Sequence, residues 1–246
     1  MNSGIKTAVI LAAGLGSRLG ELKNAKPKAF LEFDGIPLIE RSILLLIEKG
    51  MTSIMIGTGY ESKHFETLEE RFPQVRTVKN ENYATTGSMY TLNEVGKVLN
   101  EPFLLLEGDL LYEKMALDIL FDEEHTDVIL ASDATNSGDE VFIETDGSGN
   151  LVNMSKEKSR LGIIAGELVG ISKISLPAFN LMIGFALQQY NHGIYDMHYE
   201  DALVGISRKA ELKVTVVNDL AWCEIDEPSH LERAKKIVYP KILARD

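Results

Sequence analysis

The sequence predicts an α/β fold with a mixed, mostly parallel central sheet flanked by helices, and three observations carry this reading. Short apolar runs alternate with amphipathic stretches along most of the 246 residues, the pattern of strands joined by crossover helices. The first run, Thr7 to Ala13, stops at glycines, as does a strand that delivers a loop to a ligand crevice. Between Asp127 and Ile174 the long helical periods disappear and alternating segments replace them, so the topology changes midway along the chain.

In chain order, strands are expected from Thr7 to Ala13, Ser53 to Gly57, Arg76 to Lys79, Phe103 to Glu107, Asp127 to Ala131, Val141 to Glu144, Leu151 to Met154, Glu167 to Ile171, Lys213 to Val217 and Trp222 to Ile225. Each is a short apolar or β-branched run bounded by turn residues. Helices fill the gaps: Pro37 to Lys49, closed by Gly50, then Ser62 to Phe72, Ser88 to Leu99, Leu176 to Tyr190, Tyr199 to Lys209 and Ser229 to Leu243. The last opens on Ser229-His-Leu-Glu232, the spacing of a capping box. The stretch from Val141 to Asn150 reads as an antiparallel hairpin around a polar Asp-Gly-Ser-Gly-Asn turn. No Pro- or Ser-rich linker divides the chain, so residues 1–246 are expected to form one domain whose halves, up to about residue 110 and beyond it, share one core.

Composition narrows the function. The 37 acidic residues against 25 basic ones give a formal charge of −12, which argues against a nucleic-acid or membrane-surface binder because phosphates would be repelled over most of the surface. A single cysteine, Cys223, excludes an internal disulfide framework and fits a reducing compartment. The start MNSGIKTAVI lacks the pattern of a signal peptide, and no apolar run reaches membrane-spanning length. A cytoplasmic location is expected. His64, His125, His192, His198 and His230 show no paired metal-ligand spacing.

Four segments carry chemistry. The first is Leu11-Ala-Ala-Gly-Leu-Gly-Ser-Arg-Leu19 with Pro27-Lys28. Its glycines let backbone amides approach an oxygen-rich group, and Arg18 and Lys28 add positive charge. The third glycine, Gly20, falls one place late for a dinucleotide fingerprint, and no Walker sequence is present. The second comprises two apolar strands with acidic ends, Phe103-Leu-Leu-Leu-Glu-Gly-Asp109 and Trp222-Cys-Glu-Ile-Asp226. Beside phosphates, Asp109 and Asp226 would repel their ligand unless a hard divalent cation lay between, and Glu224 is a further neighbour. The third runs from Val78 through Asn80, Asn82, Gly87 and Ser88 into a helix whose first-turn amides can read a base or sugar. The fourth gathers Asp139, Lys156 and Glu200 from loops or element ends of the second half, a combination suited to a zwitterion, with Lys156 on its anionic end and a carboxylate on its ammonium.

The first segment resembles the signature loop of small-molecule nucleotidylyltransferases, and the stretches Asn80 to Met89, Leu104 to Asp109, Ala134 to Val141, Gly166 to Gly170 and Tyr199 to Leu203 are most similar to the 2-aminoethylphosphonate cytidylyltransferases within that family. The resemblance spans nearly the whole chain. It implies a Rossmann-like (GT-A-like) fold with a nucleotide-binding first half and an acceptor-binding second half. It also implies CTP and 2-aminoethylphosphonate as substrates in phosphonate biosynthesis, Mg²⁺ on Asp109 and Asp226, and no nucleic-acid partner or membrane insertion, and it allows a homodimer. Nucleotide binding is carried over to Leu11, Ala12, Ala13, Gly14, Gly16, Ser17, Arg18, Lys28, Asn80, Asn82, Gly87, Ser88 and Glu107, with the nucleobase facing Asn80, Asn82, Gly87 and Ser88. Acceptor binding is carried over to Ser132, Asp139, Lys156 and Glu200, and catalysis to Arg18, Lys28 and Lys156. One departure is Gly108, where the family motif leads to an expectation of serine. Phosphocholine cytidylyltransferases and sugar-1-phosphate nucleotidylyltransferases share the design. A catalytically silent nucleotide sensor is the alternative outside enzymes.

Overall fold

Strand β1 (Thr7–Ala12) shows why the apolar runs are continuous rather than alternating: Ala8 and Ile10 enter one hydrophobic cluster while Val9 and Leu11 enter another on the opposite face. A strand covered by helices on both sides needs apolar residues at every position. The same division recurs in β6 (Phe103–Glu107), where Leu104 and Leu106 face one layer and Phe103 and Leu105 the other. The structure, a computed structural model, describes residues 4–19 and 26–246. Gly20, part of the first signature segment, lies outside the described residues, as does the rest of that loop through 25.

Besides β1 and β6, the main sheet contains β4 (Ser53–Thr58), β5 (Val75–Lys79), β8 (Val128–Ser132), β9 (Phe142–Thr145), β10 (Leu151–Ser155), β11 (Ile164–Ile174) and β12 (Lys213–Val217). The order β5-β4-β1-β6 is wholly parallel. Strand β11 then runs antiparallel to β6, β8 and β9, with β12 parallel to β8 and β10 antiparallel to β9. Two strands, β10 and β11, therefore oppose the direction of the other seven, and the change of topology expected after Asp127 begins at β10. The hairpin is present too: Asp146 accepts from the amides of Ser148 and Asn150 at 2.9 Å, and Gly149 takes φ +77°.

One layer holds α1 (Leu38–Glu48), α2 (Lys63–Arg71) and α4 (Met115–Asp122); the other holds α3 (Ser88–Gly96), α5 (Leu176–Asn191) and α6 (Tyr199–Ile206). Helix α4, which buries Ala116, Leu117 and Leu120, is not anticipated from its eight-residue pattern. Short β2 (Glu32–Phe33) and β3 (Ile36–Pro37) form a hairpin through Asp34 and Gly35, both at positive φ, the requirement of a tight primed turn. Strand β7 (Leu110–Tyr112) pairs antiparallel with β13 (Trp222–Glu224).

The C-terminal helix ends at Leu243 as expected but departs from expectation at its start and in its middle. It begins at Pro228 as α7 (Pro228–Arg233), with Glu227 before it and no side-chain cap, so the capping box expected from Ser229 and Glu232 does not form. Proline is preorganised for the first helical position, and it sets the start one residue early. The helix then widens over Ala234–Val238 before α8 (Tyr239–Leu243). Pro240 has no N–H for the carbonyl of Lys236 and its ring crowds that carbonyl, which the wider turn relieves. Cys223 is buried in the small cluster formed by this helix, and no helix among the described residues is long and apolar enough to cross a membrane.

Candidate active site

The carboxyl ends of β1 and β6 open into a cleft of about 380 Å³, where parallel α/β sheets collect ligands. Leu11, Ala12, Ala13 and Gly14 form one wall and Glu107 and Asp109 its floor. The two strand ends are tightly apposed: the Gly108 amide donates to Leu11 O at 2.9 Å, and a Cβ at 108 would stand 2.7 Å from Ala12 Cβ and 2.9 Å from Leu11 O. The departure at Gly108 thus follows from this backbone, which has no room for a serine.

After Gly108 the chain enters β7, and pairing with β13 places Leu110 opposite Glu224. Ile225 donates to Asp109 O at 3.2 Å. Two acidic strand ends more than a hundred residues apart in sequence become neighbours through this two-stranded ladder. Carboxylate oxygens of Glu107, Asp109 and Glu224 lie within 4.8 Å of one another. Space for Glu107 comes from Gly170, whose φ of +82° sits in an irregularity of β11 and whose hypothetical Cβ would stand 2.5 Å from Glu107 Oε2. Glycine is required there by both conformation and contact. Tyr199 from α6 donates to Glu107 Oε1 at 2.7 Å.

Charge is concentrated on this floor. Burial, then the negative charges of Glu200 and Asp109, push Glu107 up to about 8. Burial, then Asp109, Glu107 and Asp226, push Glu224 up to about 11. Lys28 is the counter-charge: its ammonium pairs with Asp109 and, at 2.6 Å, with Asp226. Burial disfavours the Lys28 cation, but Asp109 and Asp226 outweigh it and hold the ammonium protonated far above the ordinary range. Asp226 is likewise opposed by burial and held down to about 2 by Lys28, by a hydrogen bond from the Glu224 carboxyl and by Arg18. Lys28 is fixed by a short helical turn, Lys28–Phe30, with Ala29 buried behind it.

The donor set fits a hard divalent cation: three carboxylates converge, and Glu107 and Glu224 resist ionisation because they are buried and stand among other negative charges. Beside the expected pair Asp109 and Asp226, the structure brings Glu107 and Glu224 to Asp109. Glu107 and Glu224 lie within one ion's reach of Asp109, and Asp226 is close by, sharing the Lys28 ammonium with Asp109 and pairing with Arg18.

The rim is built differently. Arg18 spans two carboxylates, Asp139 and Asp226, each at 2.6 Å, and Lys156, just beyond β10, also pairs with Asp139. The loop carrying Asp139 is pinned by Glu167, which accepts from Thr135 Oγ1 at 2.9 Å, and by His230, whose Nε2 lies 3.4 Å from Ser137 O. His230 Nδ1 meanwhile accepts from the Asp226 amide at 3.4 Å. Glu200 closes the acceptor side; its Oε2 is buried without a hydrogen-bond partner, and burial raises its pKa.

At the start of α3, Gly87 and Ser88 line the cleft. A side chain at Gly87 would strike the carbonyl of Met197, and its amide donates to Tyr195 O at 2.9 Å. Ser88 Oγ accepts from the Tyr199 amide at 3.0 Å. Asn80 differs from expectation. It is fully buried behind the loop, donating to Thr86 and Thr91 hydroxyls at 2.9 and 3.0 Å and accepting from the Asn82 amide at 2.8 Å, so its amide shapes the turn and has no edge facing a base. Asn82 is exposed and donates to the Tyr90 hydroxyl at 3.3 Å, outside the cleft wall. Ser132 is buried inside β8 rather than in the cleft. Gly16 and Ser17 lie in the loop above it, Gly16 at φ +58° against the Lys28 stem. Sequence reasoning left out Tyr83, Glu167, Trp222, His230 and Arg233, all of which line the cleft. Gly166 and Gly170 around Glu167, and the four-residue spacing of Asp226 and His230, were the available signals.

This combination of sheet, glycine loop and acidic floor is that of nucleotidyltransferases. Among solved structures, the chain superimposes on CTP:phosphocholine cytidylyltransferase from Streptococcus pneumoniae with TM-score 0.80 and 24% identity, covering 95% of this chain and 99% of that one. It superimposes on the inositol-1-phosphate CTP transferase from T. maritima with TM-score 0.81 and 20% identity, covering 98% of each. Residues 8–169 match the MobA-like NTP transferase domain; the chain belongs to that family and is a nucleotidyltransferase. In sequence it is 27% identical to a choline-phosphate cytidylyltransferase of Streptococcus pneumoniae over 233 residues, 94% of this chain and 97% of the relative. It is 26% identical to a 2-aminoethylphosphonate cytidylyltransferase of Lancefieldella rimae, over 91% of this chain and 89% of the relative. It is also 26% identical to the CMP-5'-(3-aminopropyl)phosphonate synthase of Streptomyces rubellomurinus, over 92% of this chain and 38% of that longer protein.

Proposed function

We propose that the protein transfers CMP from CTP to 2-aminoethylphosphonate, releasing pyrophosphate. The observation that carries the choice of acceptor is the buried, unpartnered Oε2 of Glu200 in the same cleft as Lys156. A primary ammonium brings N–H donors to such an oxygen, whereas a trimethylammonium brings none. Lys156 would hold the phosphonate. Asp139 is set aside as the ammonium ligand because both its oxygens are engaged by cations.

In this reading a phosphonate oxygen attacks the α-phosphorus of CTP, the bond from that phosphorus to the bridging oxygen breaks, and the electron pair leaves with pyrophosphate. The acceptor is an oxyanion at neutral pH, so alignment and charge neutralisation suffice and no strong base is required. Lys28 would meet the charge at the α-phosphorus; Arg18 and the amides of Gly14 and Gly16 would hold the departing pyrophosphate; Gly87 and Ser88 would face the nucleoside. Glu107, Asp109 and Glu224 would hold Mg²⁺, which when bound offsets the negative charge of the phosphates.

Phosphocholine is the second reading, favoured by three aromatic residues on the cleft wall, Tyr83, Tyr199 and Trp222, since aromatic faces attract quaternary ammonium groups. Pyrophosphate release from CTP, UTP and ATP, each with 2-aminoethylphosphonate, phosphocholine and a hexose 1-phosphate in the presence of Mg²⁺, separates the readings. The highest kcat/KM should come from CTP with 2-aminoethylphosphonate. A higher value with phosphocholine would select the second reading, and turnover with the hexose phosphate alone would overturn both.

A further inference from the structure

Asp139 stands between two cations that the proposed function assigns to phosphate and phosphonate. Its Oδ2 accepts from Arg18 at 2.6 Å and its Oδ1 from Lys156, and its side chain is 16% exposed while those of Arg18 and Lys156 are 53% and 59% exposed. The carboxylate is thus the sheltered centre of the trio and the cations are its outer arms. Its loop is braced independently at Thr135 by Glu167 and at Ser137 by His230, so Asp139 is presented to the rim by the fold rather than drawn there by the cations.

We infer that Asp139 is a built-in competitor for phosphate: its carboxylate occupies Arg18 and Lys156 between turnovers, and an anionic ligand must displace it. The inference rests on the proposed roles of those two cations. Binding to a state that must first be vacated lowers apparent affinity by the fraction of vacated protein. The same contact re-forms when a ligand departs, which speeds release. For a transferase whose leaving group, pyrophosphate, keeps the β- and γ-phosphates of the triphosphate, this matters most after the chemical step. Asp139 then limits product inhibition at the expense of some CTP affinity.

The test is calorimetric titration of inorganic pyrophosphate into the full-length protein with Mg²⁺ at low ionic strength, comparing wild type, Asp139→Asn, Asp139→Ser and Arg18→Ala, with thermal melting as a folding control. Removing the competitor should tighten pyrophosphate binding about threefold to tenfold, as expected for losing one or two partly exposed ion pairs. The inhibition constant of pyrophosphate in turnover should fall by the same factor. Asp139→Ser keeps the test decisive if Asp139→Asn does not fold. Unchanged or weaker pyrophosphate binding in both Asp139 variants, with binding weakened in Arg18→Ala, would overturn the inference and leave the phosphate site standing. A raised KM for 2-aminoethylphosphonate without any change in pyrophosphate affinity would also overturn it, by returning Asp139 to the acceptor's ammonium. Unchanged pyrophosphate binding in Arg18→Ala would instead remove the phosphate role of Arg18, and the inference with it.

Discussion

At the rim of the cleft Arg18 and Lys156 both face Asp139, whereas on its floor Glu107, Asp109 and Glu224 face one another with Lys28 to offset them. The rim is balanced by its own residues. The floor is not, and Glu107 and Glu224 answer by holding protons well above the ordinary range. Burying like charges together is unfavourable unless something offsets them, so the floor has most to gain from an added cation and the rim from exchanging one anion for another. Lys28 belongs to both regions, pairing with Asp109 below and with Asp226, the partner of Arg18, above.

The largest effect should come from removing that link. Lys28→Ala should lower kcat/KM about a hundredfold or more, by analogy with loss of one transition-state donor, and should lower the melting temperature because Asp109 and Asp226 lose their shared partner. Steady-state rates and melting curves check both. An unchanged kcat/KM would mean that the two regions work independently.

Glu224→Gln acts on the floor alone. Divalent-ion affinity should fall about tenfold or more, at least the loss usual for an outer-shell partner of a metal site, while the ion-free protein becomes more stable near neutral pH because folding no longer has to keep that carboxyl protonated. Ion titrations followed by thermal shift distinguish this from simple damage to the fold, which would lower stability with and without the ion.

Gly170→Ala tests how the floor is shaped. A side chain at φ +82° and 2.5 Å from Glu107 should destabilise the protein by about 1–2 kcal/mol, read from denaturant unfolding. It should weaken divalent-ion binding through displacement of Glu107, whereas Arg18-dependent pyrophosphate binding should change less.

The smallest effect is on pH. An unfolded chain releases the protons of Glu107 and Glu224 near pH 4.5, whereas the folded chain retains that of Glu107 to about pH 8 and that of Glu224 beyond it. Unfolding therefore releases protons across this window, and these groups make the ion-free protein less stable as pH rises from about 5 to 8. Asp226 acts oppositely: its stabilisation is present above its ordinary pKa and is lost as pH falls toward about 2. Melting temperatures from pH 5 to 8 should decline without divalent ions and flatten with Mg²⁺; a decline of equal slope in both would place the raised groups elsewhere.

Local pattern made much of this architecture readable. Runs such as Val9 to Leu11 and Phe103 to Leu106 fit strands buried on both faces, as the structure has them, and the positive φ of Gly149 suits the polar turn expected after Glu144. Where expectation failed, a competing local effect or a short element was responsible. Pro228 overrode the Ser229 cap, Pro240 widened the helix, and α4 spans two turns too brief to declare a period. Asn80 shows the limit for site residues: its type suits a base edge, yet Thr86 and Thr91 consume its amide.

The sequence by itself determined the α/β class, the glycine loop with Arg18 and Lys28, and the acidic strand ends, because each depends on neighbouring residues and on the chemistry of their side chains. Tertiary structure alone decided which acids share a site. The β7·β13 ladder joins Asp109 to Glu224, the turn at Gly170 admits Glu107, and Lys28 bridges Asp109 to Asp226. These are long-range pairings set by backbone hydrogen bonds and close packing, and residues distant along a chain carry no local mark of the partner they will meet.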